Sequence, residues 1–199
     1  MMNRTVIFLL SILAFTHFAW ASGFLDKKVV KLGEVVPEFK LQDLSGAEHQ
    51  LSSYRGKLVM IHFWSATCPF VLRYDERLAE IAQEYQERGV VVLGVDSNSN
   101  ETLDQVKKIS EKRKINYPIL IDPDNQVADQ FGAITTPHVF LIDGEGKLIY
   151  EGAVDDQGWS EGNPVKRRYV REMLDSYLSG SPLPHFQTKS VGCTVKRAF

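Results

Sequence analysis

Residues 58–71 read LVMIHFWSATCPFV, and the change of character inside this stretch restricts the fold more than any other feature of the chain. Leu58 to Trp64 is a continuous run of strand-forming residues, the pattern of a strand covered on both faces. From Phe70 the period becomes helical: Val71, Tyr74, Leu78, Ile81 and Tyr85 fall on one stripe before Gly89 ends it. Between the two patterns stands Cys68, followed by Pro69, whose missing N–H suits the first helical position. A strand that runs so abruptly into a helix indicates an α/β unit, with helices packed over the sheet.

The rest of the chain extends this order. Leu32 to Leu44 and His49 to Leu51, joined by a Ser45-Gly46 turn, suggest a leading pair of β segments. Val90 to Val95 reads as a second buried strand, and a helix is expected from Glu101 to about Lys114, with Leu103, Val106 and Ile109 inward and Asn100 as its cap. Tyr117 to Ile121 forms a third strand and Gln126 to Phe131 a short helix closed by Gly132. A hairpin follows, Val139 to Asp143 and Lys147 to Glu151 about a Gly-Glu-Gly turn, and then a last helix from Pro164 to Leu178 with Val165, Tyr169, Met173 and Leu174 inward. Gly180 and the prolines at 182 and 184 stop that helix and begin an extended tail. The expected fold is therefore a mixed central sheet flanked by helices, with a β extension in front and a tail behind.

The chain of 199 residues suffices for one domain with a full-sized core. Its formal charge of -2 provides no basic face able to neutralise many phosphates, so nucleic acid is not an expected partner. The basic clusters at Lys107 to Lys114 and Lys166 to Arg171 read as solvated surface. At the N-terminus, Arg4, the apolar run Val6 to Phe15 and the small-x-small triplet Ala19-Trp20-Ala21 make a signal peptide with cleavage after Ala21. The apolar run is short for a bilayer and is broken by Thr16 and His17, so no stable membrane anchor is expected. The division that follows is a leader at 1–21, a domain at 22–180 and a tail at 181–199, in a periplasmic or secreted protein. Two cysteines, Cys68 and Cys193, then meet an oxidising compartment, and an even count there is consistent with a structural disulfide.

A second reading starts from reactivity. A thiol is a nucleophile as thiolate, and a helix N-terminus stabilises that anion through its free N–H groups and partial positive charge. Cys68 is placed for this effect. The segment FWSATCPFV resembles the active-site segment of the thioredoxin family, and Ile134-Thr135-Thr136-Pro137 resembles the loop in which that fold holds a cis-proline beside the reactive sulfur. The upstream stretch LGEVVPEFKLQDLSGAEHQLSSYRGKLVMIHFW resembles the alkyl hydroperoxide reductase and thiol-specific antioxidant branch, or redoxins. The likeness spans about residues 32 to 151 and implies a thioredoxin-like three-layer fold.

Departures from the family pattern carry as much information. Val71 stands where a thioredoxin has its second cysteine, which excludes exchange within a Cys-x-x-Cys motif. His62 stands where many thioredoxins have a buried acid, as a candidate proton handler or a plain core histidine. The peroxiredoxin pattern is matched by Ser65, three residues before Cys68, but Ile61 replaces its proline, and Arg73 is the remaining candidate for its arginine. The ending KSVGCTVK resembles redoxins with a single Cys-Pro-Phe and one C-terminal cysteine, which implies that Cys193 is a resolving thiol on a flexible arm.

The expectations are these. Cys68 is the nucleophile, Cys193 the resolving thiol and His62 an accessory group; Trp64, Thr136 and Pro137 shape the substrate site. The substrate is a protein disulfide or a peroxide, an external thiol reductant reopens the Cys68–Cys193 disulfide, and no cofactor is required. Two alternatives remain: copper held by Cys68, His138 and His62, or a permanent disulfide in a non-catalytic module.

Overall fold

The computed structural model describes residues 29–160 and 162–197, so the expected leader at 1–21 lies outside the described residues. The strands are β1 (Lys40–Asp43), β2 (Glu48–Gln50), β3 (Leu58–Trp64), β4 (Val90–Asp96), β5 (Ile119–Ile121), β6 (Thr135–Thr136), β7 (Val139–Ile142), β8 (Leu148–Gly152) and β9 (Cys193–Thr194). The helices are α1 (Pro69–Gln86), α2 (Leu103–Lys112), α3 (Gln126–Phe131) and α4 (Tyr169–Ser179). Seven strands form one mixed sheet in the order β2-β1-β5-β4-β3-β7-β8, with β3, β4 and β5 parallel and the rest antiparallel to their neighbours. Strands β6 and β9 pair separately.

Alternation along β3 divides the core into two layers. Leu58, Met60 and Trp64 pack with Val71, Tyr74, Leu78 and Ile81 of α1, Val106 of α2, and Val170, Met173 and Leu174 of α4. Val59, Ile61 and Phe63 pack on the other face with Val127, Ala128 and Phe131 of α3 and with the leading residues Val30, Val36 and Phe39. Helices thus cover both faces, which is why β3 reads as an unbroken apolar run. This is the expected three-layer, thioredoxin-like architecture.

Several boundaries move, each for a local reason. The leading segment is a strand only over Lys40–Asp43; residues before it wrap the sheet face. Thr102, not Asn100, caps α2, its hydroxyl accepting Gln105 N–H at 3.2 Å, and Leu103 points outward at 55% exposure. Helix α4 starts at Tyr169 rather than Pro164, because Asp156 Oδ1 accepts the N–H groups of Lys166 and Arg167 and holds that stretch as a loop. Two helix stops are as read: Gly132 and Gly180 close α3 and α4 in left-handed conformation.

Candidate active site

Sheet register decides which loops meet. Leu58 lies opposite Val90 and Trp64 opposite Asp96, so the parallel strands β3 and β4 end at the same edge. Strand β7 starts from that edge, with Val139 opposite His62. The loops at 65–68, 97–102 and 134–138 therefore converge outside the carboxyl ends of β3 and β4, the usual location of sites in open α/β sheets.

Cys68 occupies the N-cap of α1 with φ −79° and ψ 120°, and Pro69 follows in the first turn. Its side chain is buried, and Sγ donates to the Thr136 carbonyl oxygen at 3.1 Å. The Thr136–Pro137 peptide bond is cis, as the resemblance implied.

The tail comes to this loop as a strand. Strand β9 runs antiparallel to β6 with Cys193 opposite Thr136 and Thr194 opposite Thr135, and Val195 N–H continues the pairing to the Ile134 carbonyl at 3.1 Å. Gly192 makes this approach feasible: a Cβ there would lie 2.1 Å from the Thr136 oxygen. The expected flexible arm is instead pinned on both sides of the cysteine. Upstream, Thr188 N–H bonds the Glu151 carbonyl at 3.0 Å and its hydroxyl accepts Ala153 N–H at 2.9 Å. Downstream, Val195 is buried in the sheet core, Lys196 N–H reaches Asn98 Oδ1 at 3.1 Å, and Arg197 pairs with Asp129 at 2.8 Å.

The two thiols influence each other's ionisation. Burial pushes the Cys193 thiol up to about 11, reinforced by its hydrogen bond to Cys68 and the Cys68 charge, while the Phe70 N–H and Lys196 oppose the shift. The Cys193 thiol is therefore protonated at neutral pH. The Phe70 N–H belongs to the first turn of α1, so the helix N-terminus faces the second sulfur as well.

The remaining expected site residues are distributed differently. Trp64 is wholly buried in the α1-side core and donates Nε1–H to Asp75 at 3.0 Å, so it supports the loop from below rather than meeting a substrate. Thr136 and Pro137 are buried beneath the tail. His62 lies on the α1 side of β3, edge-on to Tyr117 at 5.2 Å, and neither ring nitrogen has a hydrogen-bond partner among the described residues. Burial pulls its pKa down to about 3, which keeps the ring neutral. His138 lies on the opposite sheet face, 4.4 Å from the Phe140 ring, and its Nδ1 accepts Ile134 N–H at 3.5 Å. The alternative of a copper site from Cys68, His138 and His62 is therefore corrected: the two imidazoles are on opposite sides of the sheet. Among the described residues no group of three or more His, Cys, Asp or Glu side chains is arranged to hold a metal.

Four polar residues not anticipated from the sequence complete the site. Arg113 donates to the carbonyl oxygens of Ala66 at 2.7 Å and Ser65 at 3.5 Å, and pairs with the buried Asp75 at 3.1 Å. Asp75 had a visible signal, a carboxylate beside the inward stripe of α1; Arg113 had none, being 45 residues beyond Cys68 in the sequence. Glu101 accepts from Ser65 Oγ at 2.6 Å, Ala66 N at 2.7 Å and Thr67 N at 2.9 Å, and Asn98 links the same edge to the tail. Arg73, the candidate arginine, stands over the Phe70 ring at 4.4 Å and donates to the Trp159 carbonyl at 3.4 Å.

Comparison with known proteins agrees with this geometry. The chain is 39% identical over 145 residues to the thiol-disulfide oxidoreductase ResA of Geobacillus thermodenitrificans, covering 73% of this chain and 82% of the relative. Its fold is similar to that of a hypothetical protein from Sinorhizobium meliloti, with TM-score 0.78 and 31% identity over 86% of this chain and 97% of the other. It is also similar to the thioredoxin domain of a thiol-disulfide oxidoreductase from Bacteroides vulgatus, with TM-score 0.55 and 26% identity over 61% of this chain and 88% of that one. Residues 32–151 match the AhpC/TSA family. A thioredoxin fold with a cysteine at the N-terminus of its first helix, matched over this span, means that the chain belongs to the AhpC/TSA family and is an oxidoreductase.

Proposed function

We propose that the protein is a thiol-disulfide oxidoreductase in which Cys68 attacks the substrate and Cys193 of the same chain resolves the product. The observation that carries this reading is the pairing of β9 with β6, which sets Cys193 opposite Thr136 while Cys68 Sγ bonds the Thr136 carbonyl. The Cys68 thiolate attacks one sulfur of a disulfide in a partner protein; a Cys68–substrate disulfide forms and the other substrate sulfur leaves as thiolate, to be protonated. Cys193 then loses its proton and attacks Cys68 Sγ. The second substrate thiol departs, leaving a Cys68–Cys193 disulfide, and an external dithiol restores the reduced enzyme. ResA of Geobacillus thermodenitrificans is named for the same exchange.

Disulfide exchange is favoured over peroxide reduction by the state of Ser65. Its hydroxyl donates to Glu101 and accepts Cys68 N–H at 3.1 Å, so it is engaged within the loop rather than offered to an oxidant. No step is routed through His62, which is neutral and bonds no sulfur. Export is part of this proposal and rests on the leader expected at 1–21; no helix among the described residues is long and apolar enough to cross a membrane.

The test is Cys193→Ser. Challenged with a polypeptide disulfide, this variant accumulates a mixed disulfide on Cys68 visible by intact mass, whereas the parent proceeds to the internal disulfide. Turnover of the variant at the parent's rate would refute the resolving role.

A further inference from the structure

The loop between β4 and α2 contacts both cysteine-bearing segments, and nothing in the exchange chemistry itself requires it to. On one side, the Glu101 carboxylate gathers the peptide just before Cys68: Oε1 accepts from Ser65 Oγ at 2.6 Å, Thr67 N at 2.9 Å and the Thr67 hydroxyl, and Oε2 accepts from Ala66 N at 2.7 Å. Ser65 Oγ in turn accepts Cys68 N–H at 3.1 Å, which carries the constraint to the reactive residue. On the other side, Asn98 Oδ1 accepts Lys196 N–H at 3.1 Å, and Ser99 N–H bonds the Lys196 carbonyl at 2.8 Å, three residues after Cys193.

The two ends are joined internally. Asn98 is fixed by Asp96, whose Oδ1 accepts both its backbone N–H and its Nδ2–H at 2.9 Å, and Asn98 Nδ2 also bonds the Trp64 carbonyl at 3.0 Å. Glu101 N–H closes a turn on the Asn98 carbonyl at 3.1 Å. Burial first, then the Glu101 charge, pushes Asp96 up to about 7, so below that pH it is held neutral beside the Glu101 carboxylate. Charge-assisted bonds of this kind are shorter and stronger than neutral ones, and networks of them rigidify the groups they join.

We propose that Glu101 and Asn98 are positioning residues for the exchange, forming a two-ended clamp in which Glu101 holds the Cys68 peptide, Asn98 holds the Cys193 strand, and residues 96–101 fix the separation of the two sulfurs. This rests on the assignment of Cys68 as nucleophile and Cys193 as resolving thiol. The clamp has its effect on resolution: attack on a substrate needs Cys68 alone, whereas the second attack needs both sulfurs in line. A misplacement of about 1 Å can cost about 100-fold in such a step.

A chromogenic aryl disulfide tests both levels, because each step releases one coloured aryl thiolate. Cys68 attack gives the first release and Cys193 attack on the mixed disulfide gives the second. In the full chain, Glu101→Gln and Asn98→Ala should each slow the second release by about tenfold or more relative to the first. Glu101→Gln replaces one acceptor oxygen with a donor facing an N–H. Glu101→Asp, which keeps the charge, should recover part of the second release. The Glu101→Gln/Asn98→Ala double variant should be little slower than the worse single variant, since either break opens the same clamp. Equal slowing of both releases, or an unchanged second release, overturns the clamp. If Cys193→Ser still gives two releases, the assignment of Cys193 fails instead, independently of the loop variants.

Discussion

Replacing Gly192 by alanine perturbs the docked tail at a single atom. The added Cβ would lie 2.1 Å from the Thr136 carbonyl oxygen, 2.6 Å from its carbon and 3.2 Å from Pro137 N, all backbone atoms with no rotamer to escape into. Gly192 does not use the left-handed backbone region, so alanine brings no backbone strain and the effect comes from this contact. Overpacking of this kind costs about 1–3 kcal/mol, which lowers the ratio of docked to undocked strand by about 5- to 150-fold. Cys68 is 2% exposed with the tail in place, so alkylation has to pass through the undocked state. Iodoacetamide labelling of Cys68, followed by intact mass at fixed pH in a Cys193→Ser background, should accelerate by that factor when Gly192→Ala is added. The first step with a polypeptide disulfide should accelerate with it, because the Thr135–Thr136 edge is freed. A labelling rate equal to the parent's, in a protein that still melts cooperatively, would refute the idea that the tail shields the nucleophile.

Other outcomes follow from the buried polar groups. Arg113→Ala leaves the Asp75 carboxylate buried beside Trp64 without its cation and should cost about 3–5 kcal/mol in urea unfolding, part of which Asp75→Asn restores. Asp96 is raised from 3.8 to about 7, so between these values the folded state holds a proton that the unfolded state has lost; stability falls as pH rises through this window, and Asp96→Asn should flatten that part of the curve. His62 has the opposite sign: its folded pKa of about 3 lies below the ordinary 6.5, so stability falls as pH drops from 6.5. Its imidazole resonances should not titrate between about pH 5 and 8.

The architecture was legible because period and punctuation are local. The apolar run at 58–64 became β3, the stripe through Val71, Tyr74 and Leu78 became the buried face of α1, and Gly132 closed α3 where expected. Boundaries failed where a side chain outside the element decided them, as Asp156 did for the start of α4. Within the site, Cys68 is legible from its residue type at a helix start, whereas Thr136, Pro137 and Cys193 are expected from the family resemblance; the structure brings these four residues together. Trp64 was assigned to the substrate, but the fold turned its indole N–H inward to Asp75.

The sequence by itself determined that one cysteine caps a helix, that Val71 denies it a neighbouring partner, and that the other cysteine in the chain lies near the C-terminus. Only the tertiary structure decided that the tail is a bound strand and not a loose arm, because strand pairing depends on backbone groups that no residue type announces. It alone also brought Asp75, Asn98, Glu101 and Arg113 to the Cys68 loop. Carboxylates, amides and guanidiniums are ordinary surface residues in a sequence, and they acquire a role here because parallel β3 and β4 end side by side and carry their following loops to the same edge.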